Sequence, residues 1–354
     1  MGKDSHNLDL LRSLAVTLVL LDHTMKFLGA AGNWPFDINW VGRLGVAFFF
    51  VHTSFVLMLS LERTNLPGWR LPVNFYVRRL FRLYPLSGFV VLFTWLSGIP
   101  QATIHPNVIY GVTITPGVLL SDLTLTQNFV PQGVDILGQL WSLPIELDMY
   151  LLLPLLFFLA RRWPRAFLWA AWPLAVMLAL FATQAQVPGV WRLNWLSFAP
   201  CFVPGVMAYL LHSRVAARFA SWWWPIFLLA VAFLFMLHPG WGPARFIALC
   251  IGLTFPLFKE QTNRFVNFVT YTVAKYSYGI YLGHLFVIWA AFYALRQFSP
   301  YLQGAVFVLL LFAIPWLFYV AIEQPGISIG KHIAQKITGN SVQPQLKPVV
   351  ESRV

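Results

Sequence analysis

Charge is scarce in this chain: Asp, Glu, Lys and Arg make up 10% of its 354 residues, against about 25% in an ordinary soluble domain. A soluble fold of this length cannot cover its surface with so few charges, so that class is excluded. Acidic residues are the scarcer sign, 12 against 24 Lys and Arg, which leaves a net charge of +12. In a soluble protein such an excess points to nucleic acid; here it points to anionic lipid and to loop orientation, and no nucleic-acid partner is expected. Cysteine is nearly absent. Cys201 and Cys250 each lie inside an apolar run with no metal-ligand spacing nearby, so they are read as buried, unpaired thiols and no metal site is expected. There is no repeat at a fixed period and no inverted pair of broken helices of the kind that marks many transporters. The stretch from Ile99 to Gln139 lacks Lys and Arg altogether.

What is present in quantity is apolar and aromatic. Hydrophobic residues reach 58% and Phe, Trp and Tyr 17%, and rings with one polar edge suit the headgroup layer of a bilayer. Runs long enough to cross ~30 Å of hydrocarbon at ~1.5 Å per residue fall near 8–28, 41–61, 80–99, 141–160 and 166–184. Five more fall near 193–212, 222–238, 243–258, 277–296 and 303–322. The stretch 117–129 is too short and polar to span and is read as re-entrant or interfacial. The first run is interrupted by Arg12, Asp22 and His23 and is followed by no clean cleavage site, so it is read as a retained helix.

Loops alternate in basic content. One set carries Lys3, then Arg63, Arg70, Arg78, Arg79 and Arg82, then Arg161, Arg162 and Arg165, and so on to Lys331 and Lys336; the other holds only Lys26, Arg43, Arg192, Arg245 and Arg296. The richer set is assigned to the cytoplasm. The expected fold is therefore all-α: a polytopic integral membrane bundle of about ten transmembrane helices in the inner or plasma membrane, both termini cytoplasmic. Residues 1–330 are expected to form one transmembrane domain and 331–354 a flexible cytoplasmic tail, with no appended soluble domain.

An ionisable side chain at mid-membrane costs several kcal/mol unless paired or hydrated, so each one is a candidate for function. Arg12 and His23 stand eleven residues apart on nearly one face of the first helix, roughly 16 Å along its axis. Asp22 lies about 100° around the helix, within lateral reach of His23. In Trp141-Ser142-Leu143-Pro144-Ile145-Glu146-Leu147-Asp148-Met149-Tyr150, Pro144 suits a first turn and leaves Glu146 one turn below the outer surface, at the depth inferred for His23. A carboxylate and an imidazole at one level are what an orienting acid and a general base require. Phe75-Tyr76-Val77-Arg78-Arg79-Leu80-Phe81-Arg82-Leu83-Tyr84-Pro85 stands at the cytoplasmic entrance of the third span, where guanidiniums bind phosphates bidentately. Tyr276, Ser277, Tyr278, Tyr281 and His284 form a polar stripe on the ninth span, and Glu323-Gln324-Pro325 close the tenth, within reach of an arginine of the entrance cluster.

These motifs, with Leu8-Asp9-Leu10-Leu11-Arg12 and Gly45-Val46-Ala47-Phe48-Phe49-Phe50, in this order and spacing, make the chain resemble the acyltransferase-3 group of integral membrane acyltransferases over nearly its whole length. It departs from the pattern at Thr53-Ser54-Phe55, preceded by His52, where the group shows Ser-Gly-Phe and the glycine serves a close backbone approach. The resemblance implies acyl transfer, usually acetyl, from a cytoplasmic acyl-CoA to a hydroxyl of an extracytoplasmic or exported polysaccharide. Acyl-CoA then enters as donor substrate, with no tightly bound cofactor. His23, Arg12, Glu146 and Asp22 are the expected catalytic residues; Arg78, Arg79, Arg82 and Tyr76 are expected to hold the donor. Trp141, Ser142, Tyr150, Ser277, Tyr281 and His284 are expected to line the substrate path. Whether His23 is a base or a transient acyl carrier is left open, as are the acceptor, the acyl chain, the oligomeric state and any association with a polysaccharide synthesis or export complex. Two rivals remain: a transporter or flippase using the same buried charges without covalent chemistry, and a degenerate scaffold.

Overall fold

The computed structural model describes residues 5–29, 37–100, 114–130, 135–184 and 189–339. Among these the chain is all-helical apart from one isolated bridge between Phe219 and Phe258. Seven helical stretches are long and apolar enough to cross a membrane: Asn39–Thr64, Arg70–Ser97, Gly138–Arg162, Pro164–Gln184, Arg192–His212, Arg264–Ala294 and Pro300–Thr338.

The first helix, α1 (His6–Phe27), falls outside that set because it carries four charged residues, Asp9, Arg12, Asp22 and Lys26, although its 22 residues reach ~33 Å. The Ser5 hydroxyl caps it by accepting the Leu8 N–H. It packs against α2 (Asn39–Thr64) through glycines: a Cβ on Gly42 would lie 2.5 Å from Asp22 Oδ2 and one on Gly45 2.5 Å from the Ala15 carbonyl. The basic stretch beginning at Arg70 is itself helical, so α3 (Arg70–Ser97) starts ten residues before its apolar run. Hydropathy marks only the part of a helix that is apolar, and the same holds for α10 below.

Next comes α4 (Pro116–Thr124), nine residues capped by the Thr115 hydroxyl and too short to span. The Tyr84 hydroxyl ties its end to α3 by donating to the Thr124 carbonyl at 2.8 Å. A 3-10 turn at Gly138–Trp141 leads into α5 (Ser142–Arg162), and α6 (Pro164–Gln184) follows. The expected span 193–212 is a 3-10 segment, Val190–Phe198, that becomes α7 (Ala199–His212) where Pro200 can occupy a first helical turn. The helices α8 (Trp223–Leu237) and α9 (Trp241–Thr254) are shorter than a full crossing. α10 (Arg264–Ile288) continues through a π-turn at Trp289–Ala294. Another π-turn, Tyr319–Glu323, joins α11 (Pro300–Phe318) to α12 (Gln324–Thr338) without a break. The segment 331–338 thus continues a helix that lies along α3, while 340–354 falls outside the described residues.

The middle of the bundle is built by α1, α2, α7 and α10, whose inward faces are buried. The glycine missing beside Phe55 is supplied from the opposite helix: a Cβ on Gly205 of α7 would overlap Ser54 Oγ and the Val51 carbonyl. The close approach therefore survives with its small residue on the other side. Cys201 is buried as expected, whereas Cys250 faces outward on α9.

Candidate active site

A cavity of about 220 Å³ opens where α1, α2, α3, α5 and α10 converge. Arg12, Arg79 and Arg82 line it together with Glu146, its one carboxylate. Arg12 is anchored by Nε donating to Ser277 Oγ at 2.5 Å. Glu146 accepts the hydroxyl of Tyr150, one helical turn further along α5. Three guanidiniums against one carboxylate give the cavity an excess of positive charge, and in a medium of low dielectric that excess attracts anions strongly.

One end of the cavity is closed by polar residues. Tyr281 donates its hydroxyl to the Gln139 carbonyl at 2.6 Å. A carbonyl only accepts, so Ser142 Oγ, 2.6 Å away, is the donor to the phenolic oxygen. Ser142, Tyr150, Ser277 and Tyr281 all line the space. Tyr278 lines it too and fixes α10 to α3 by donating to the Leu83 carbonyl at 2.7 Å.

The expected pair of His23 and Glu146 is not formed. Glu146 points into the arginine cavity, and His23 stands outside its lining, edge to face with His284 at 4.8 Å between ring centroids. The reason is register: His284 follows Tyr281 by three residues on α10, so the two imidazoles lie about one turn beyond the Tyr281–Ser142 closure. Each ring nitrogen Nδ1 contacts a backbone carbonyl, Val19 O at 2.9 Å for His23 and Tyr281 O at 2.7 Å for His284. Nδ1 must therefore carry the proton, leaving Nε2 as the basic nitrogen in the neutral ring. Asp22 does not orient His23 by a hydrogen bond; its Oδ2 is 3.6 Å from His23 Nδ1 and instead takes Lys26 Nζ at 2.7 Å.

Three other expected site residues lie elsewhere. Tyr76 ties α3 to α5 by donating to the Leu151 carbonyl at 2.9 Å. Trp141 packs with Phe198 and Trp241. Arg78, one position before Arg79, turns out of the cavity into a separate groove. Conversely, His52 of α2 lines the cavity and is buried. Its neighbour pattern marked it only as a flank of Thr53-Ser54-Phe55, and the three- and four-residue spacing from Phe49 and Val56 is the signal that places it on the cavity face. Glu323, expected near an entrance arginine, is buried at the π-turn; a Cβ on Gly279 would lie 3.3 Å from its Oε1.

Outside the spanning helices, Asp122 of α4 and Asp135 are held above the ordinary carboxylate range. Burial pushes Asp122 up to about 7, helped by the nearby charge of Asp135, and burial pushes Asp135 up to about 6. Among the described residues no cluster of three or more His, Cys, Asp or Glu side chains is arranged to hold a metal ion.

Comparison with known proteins identifies the family. The profile of the acyltransferase-3 family, described as an acyltransferase domain, matches residues 5–320. Nodulation protein 10 of Rhizobium leguminosarum bv. viciae is 26% identical over 371 residues, covering 92% of this chain and 94% of that protein. Acyltransferase MdmB of Streptomyces mycarofaciens is 31% identical over 188 residues, 49% of this chain and 46% of its own length. No solved structure gives a significant match. With the family profile covering nearly all of a chain whose helices are built to cross a bilayer several times, the chain belongs to the acyltransferase-3 family and is a multi-pass membrane acyltransferase.

Proposed function

We propose that this acyltransferase moves an acetyl group from cytoplasmic acetyl-CoA to a hydroxyl of a polysaccharide or other glycan on, or bound for, the far side of the inner or plasma membrane. The observation that carries the reading is the cationic cavity of Arg12, Arg79 and Arg82 with the His23–His284 pair one turn beyond its Tyr281–Ser142 end. The basic ends of α2, α3 and α12 lie on the cytoplasmic side. This reading counts α1 and the shorter α8 and α9 as crossings beside the seven longer stretches, ten in all, with both termini inside.

In this reading the anionic donor enters from the cytoplasmic side, and its thioester reaches the Tyr281–Ser142 edge. The acceptor hydroxyl gives its proton to Nε2 of His23; its oxygen forms a bond to the acetyl carbon, the carbon–sulfur bond breaks, and the leaving CoA thiolate takes up that proton from the imidazolium, which restores the base. Arg12, anchored on Ser277 about two helical turns short of the imidazoles, orients the anionic donor. Glu146 holds Arg12 and its neighbours in place rather than the imidazole. His284 shares the ring contact that fixes His23.

The test is transfer of label from acetyl-CoA to surface glycan in inverted membrane vesicles, with CoA binding measured on the same purified protein. His23→Ala is expected to lower transfer about 10²–10⁴-fold, the usual contribution of a general base, and to leave CoA binding unchanged because His23 is outside the cavity. Label retained on the protein in the absence of acceptor would show a carrier histidine instead of a base. Full transfer by His23→Ala refutes both roles.

A further inference from the structure

Arg78 leaves the cavity because it belongs to a second opening. A groove of about 260 Å³ lies where the end of α2, the start of α3 and α12 meet, lined by Ser60, Arg63, Asn74, Arg78, Lys331 and Gln335. α12 is brought there by small residues: a Cβ on Gly330 would overlap the Phe81 side chain, and one on Gly326 would lie 2.7 Å from the Phe81 carbonyl. The buried Asn74 then ties the two helices by donating to Thr338 Oγ1 at 3.3 Å. That packing sets Lys331 beside Arg78, while Arg63 is near enough to Arg78 for like-charge repulsion. None of the three is ion-paired with a carboxylate among the described residues. Glu62, the nearest acid in sequence, faces the other way and accepts the Tyr209 hydroxyl.

The groove is in line with the cavity. Along α2, Phe49, Thr53, Val56 and Leu57 line the cavity, and the same face continues through Ser60 to Arg63 in the groove. From Thr53 to Arg63 the rise is about 15 Å. On α3, Arg82 and Arg79 face the cavity, and Arg78 and Asn74 face the groove. Three cations with no carboxylate partner among the described residues at one end and a narrow, mixed-polarity space at the other suit one extended ligand, polyanionic at one terminus and reactive at the opposite one.

We infer that Arg63, Arg78 and Lys331 form a phosphate subsite that takes the nucleotide end of the CoA donor, while the inner cavity takes its acyl end. The inference rests on the acyl-CoA reading above. A phosphate-bearing lipid headgroup has the same chemistry, and the experiment separates the two sources.

Binding of CoA and of pantetheine, which lacks the nucleotide, is measured by calorimetry in nanodiscs of zwitterionic phosphatidylcholine. Lys331→Glu and Arg63→Glu, both on exposed side chains, are expected to weaken CoA binding by about tenfold or more. They are expected to leave pantetheine affinity unchanged. Lys336→Glu, on α12 but outside the groove, is expected to bind CoA like the wild type. Wild-type affinity for CoA in the groove variants overturns the subsite alone. If the wild type instead gains thermal stability from added phosphatidylglycerol, and Lys331→Glu loses that gain while keeping CoA affinity, the groove is a headgroup site and the inference falls. A wild type that binds no CoA refutes the donor reading itself.

Discussion

Replacing Tyr281 by Phe removes one oxygen and leaves the ring, so it isolates the two hydrogen bonds that close the cavity toward the histidine pair. In the wild type the phenol gives its proton to the Gln139 carbonyl at 2.6 Å and receives the Ser142 hydroxyl at 2.6 Å. Both partners are buried. Side-chain hydrogen bonds in membrane proteins average ~0.6 kcal/mol and reach ~1.7; two such bonds, one leaving a buried carbonyl without its donor, amount to about 1–2 kcal/mol. Ser142→Ala removes only the shared bond and should cost about half as much. The double variant has no further bond to lose, so its stability should match that of Tyr281→Phe. The packing of the ring on Phe49, 6.0 Å between centroids, is retained throughout. Unfolding in mixed micelles gives the four free energies. Acetyl-CoA hydrolysis without acceptor gives the functional readout, which should rise in Tyr281→Phe because the closure holds water away from the thioester. If the two single effects simply add in the double variant and hydrolysis stays at the wild-type level, Tyr281 is not the tie between α5 and α10 and the cavity has no closure at that end.

Three further outcomes are expected. Gly205→Val should destabilise the protein by roughly 1–3 kcal/mol or more, since the new side chain meets the backbone carbonyl of Val51 as well as Ser54 Oγ; Ser54→Gly should restore only part of the loss in a thermal unfolding assay. Asp122 and Asp135 titrate in the fold near 7 and 6, above the ~3.9 of an unfolded chain. Their contribution to stability is therefore complete below about pH 4 and declines as pH rises through 6 to 7; Asp122→Asn should flatten the fall in melting temperature between pH 5 and 8. Glu146→Gln removes the one carboxylate lining the cavity; calorimetry should show tighter CoA binding and unfolding should show a less stable apo protein.

The helices and much of the site could be read before the structure because the bilayer imposes a simple rule: apolar length forms spans, and the polar exceptions inside them draw attention. Arg12 and Glu146 stand out this way, Arg79 and Arg82 as the basic entrance of the third span, and the four share one cavity. The pairing of Glu146 with His23 could not be read, because hydropathy fixes neither the register of one helix against another nor which neighbour packs beside it: Glu146 stands at the level of Arg12 and Ser277, His23 at that of His284. α10 decides the matter: Ser277 takes Arg12 and His284 takes His23, seven residues apart on one face. His52 carries no such mark, because the Thr53-Ser54-Phe55 departure beside it speaks to backbone packing rather than to a polar face. Arg78 and Arg79 look alike in sequence, yet the 100° between successive helical residues sends one to the groove and the other to the cavity.

The order of charges along the path bears on how an acyl group can cross without its carrier. Taking a guanidinium out of water costs several kcal/mol even after relaxation, and the cavity gathers three partly buried ones near Glu146 and Glu323. Two carboxylates leave one positive charge without a counter-ion, so an anion that enters is stabilised there more than it would be in water. Beyond Tyr281 and Ser142 stand the two histidines, His23 and His284, whose Nδ1 protons are held by backbone carbonyls, and Lys26, whose charge Asp22 already neutralises. A carrier bearing several phosphates is therefore attracted as far as the arginines and gains no such compensation past them. Only a small uncharged fragment loses nothing by moving one helical turn further to the imidazoles. The direction of transfer then follows from electrostatics rather than from a moving part: the charged body of the donor stays where the fixed positive charge is, and the neutral acyl group is what reaches the acceptor.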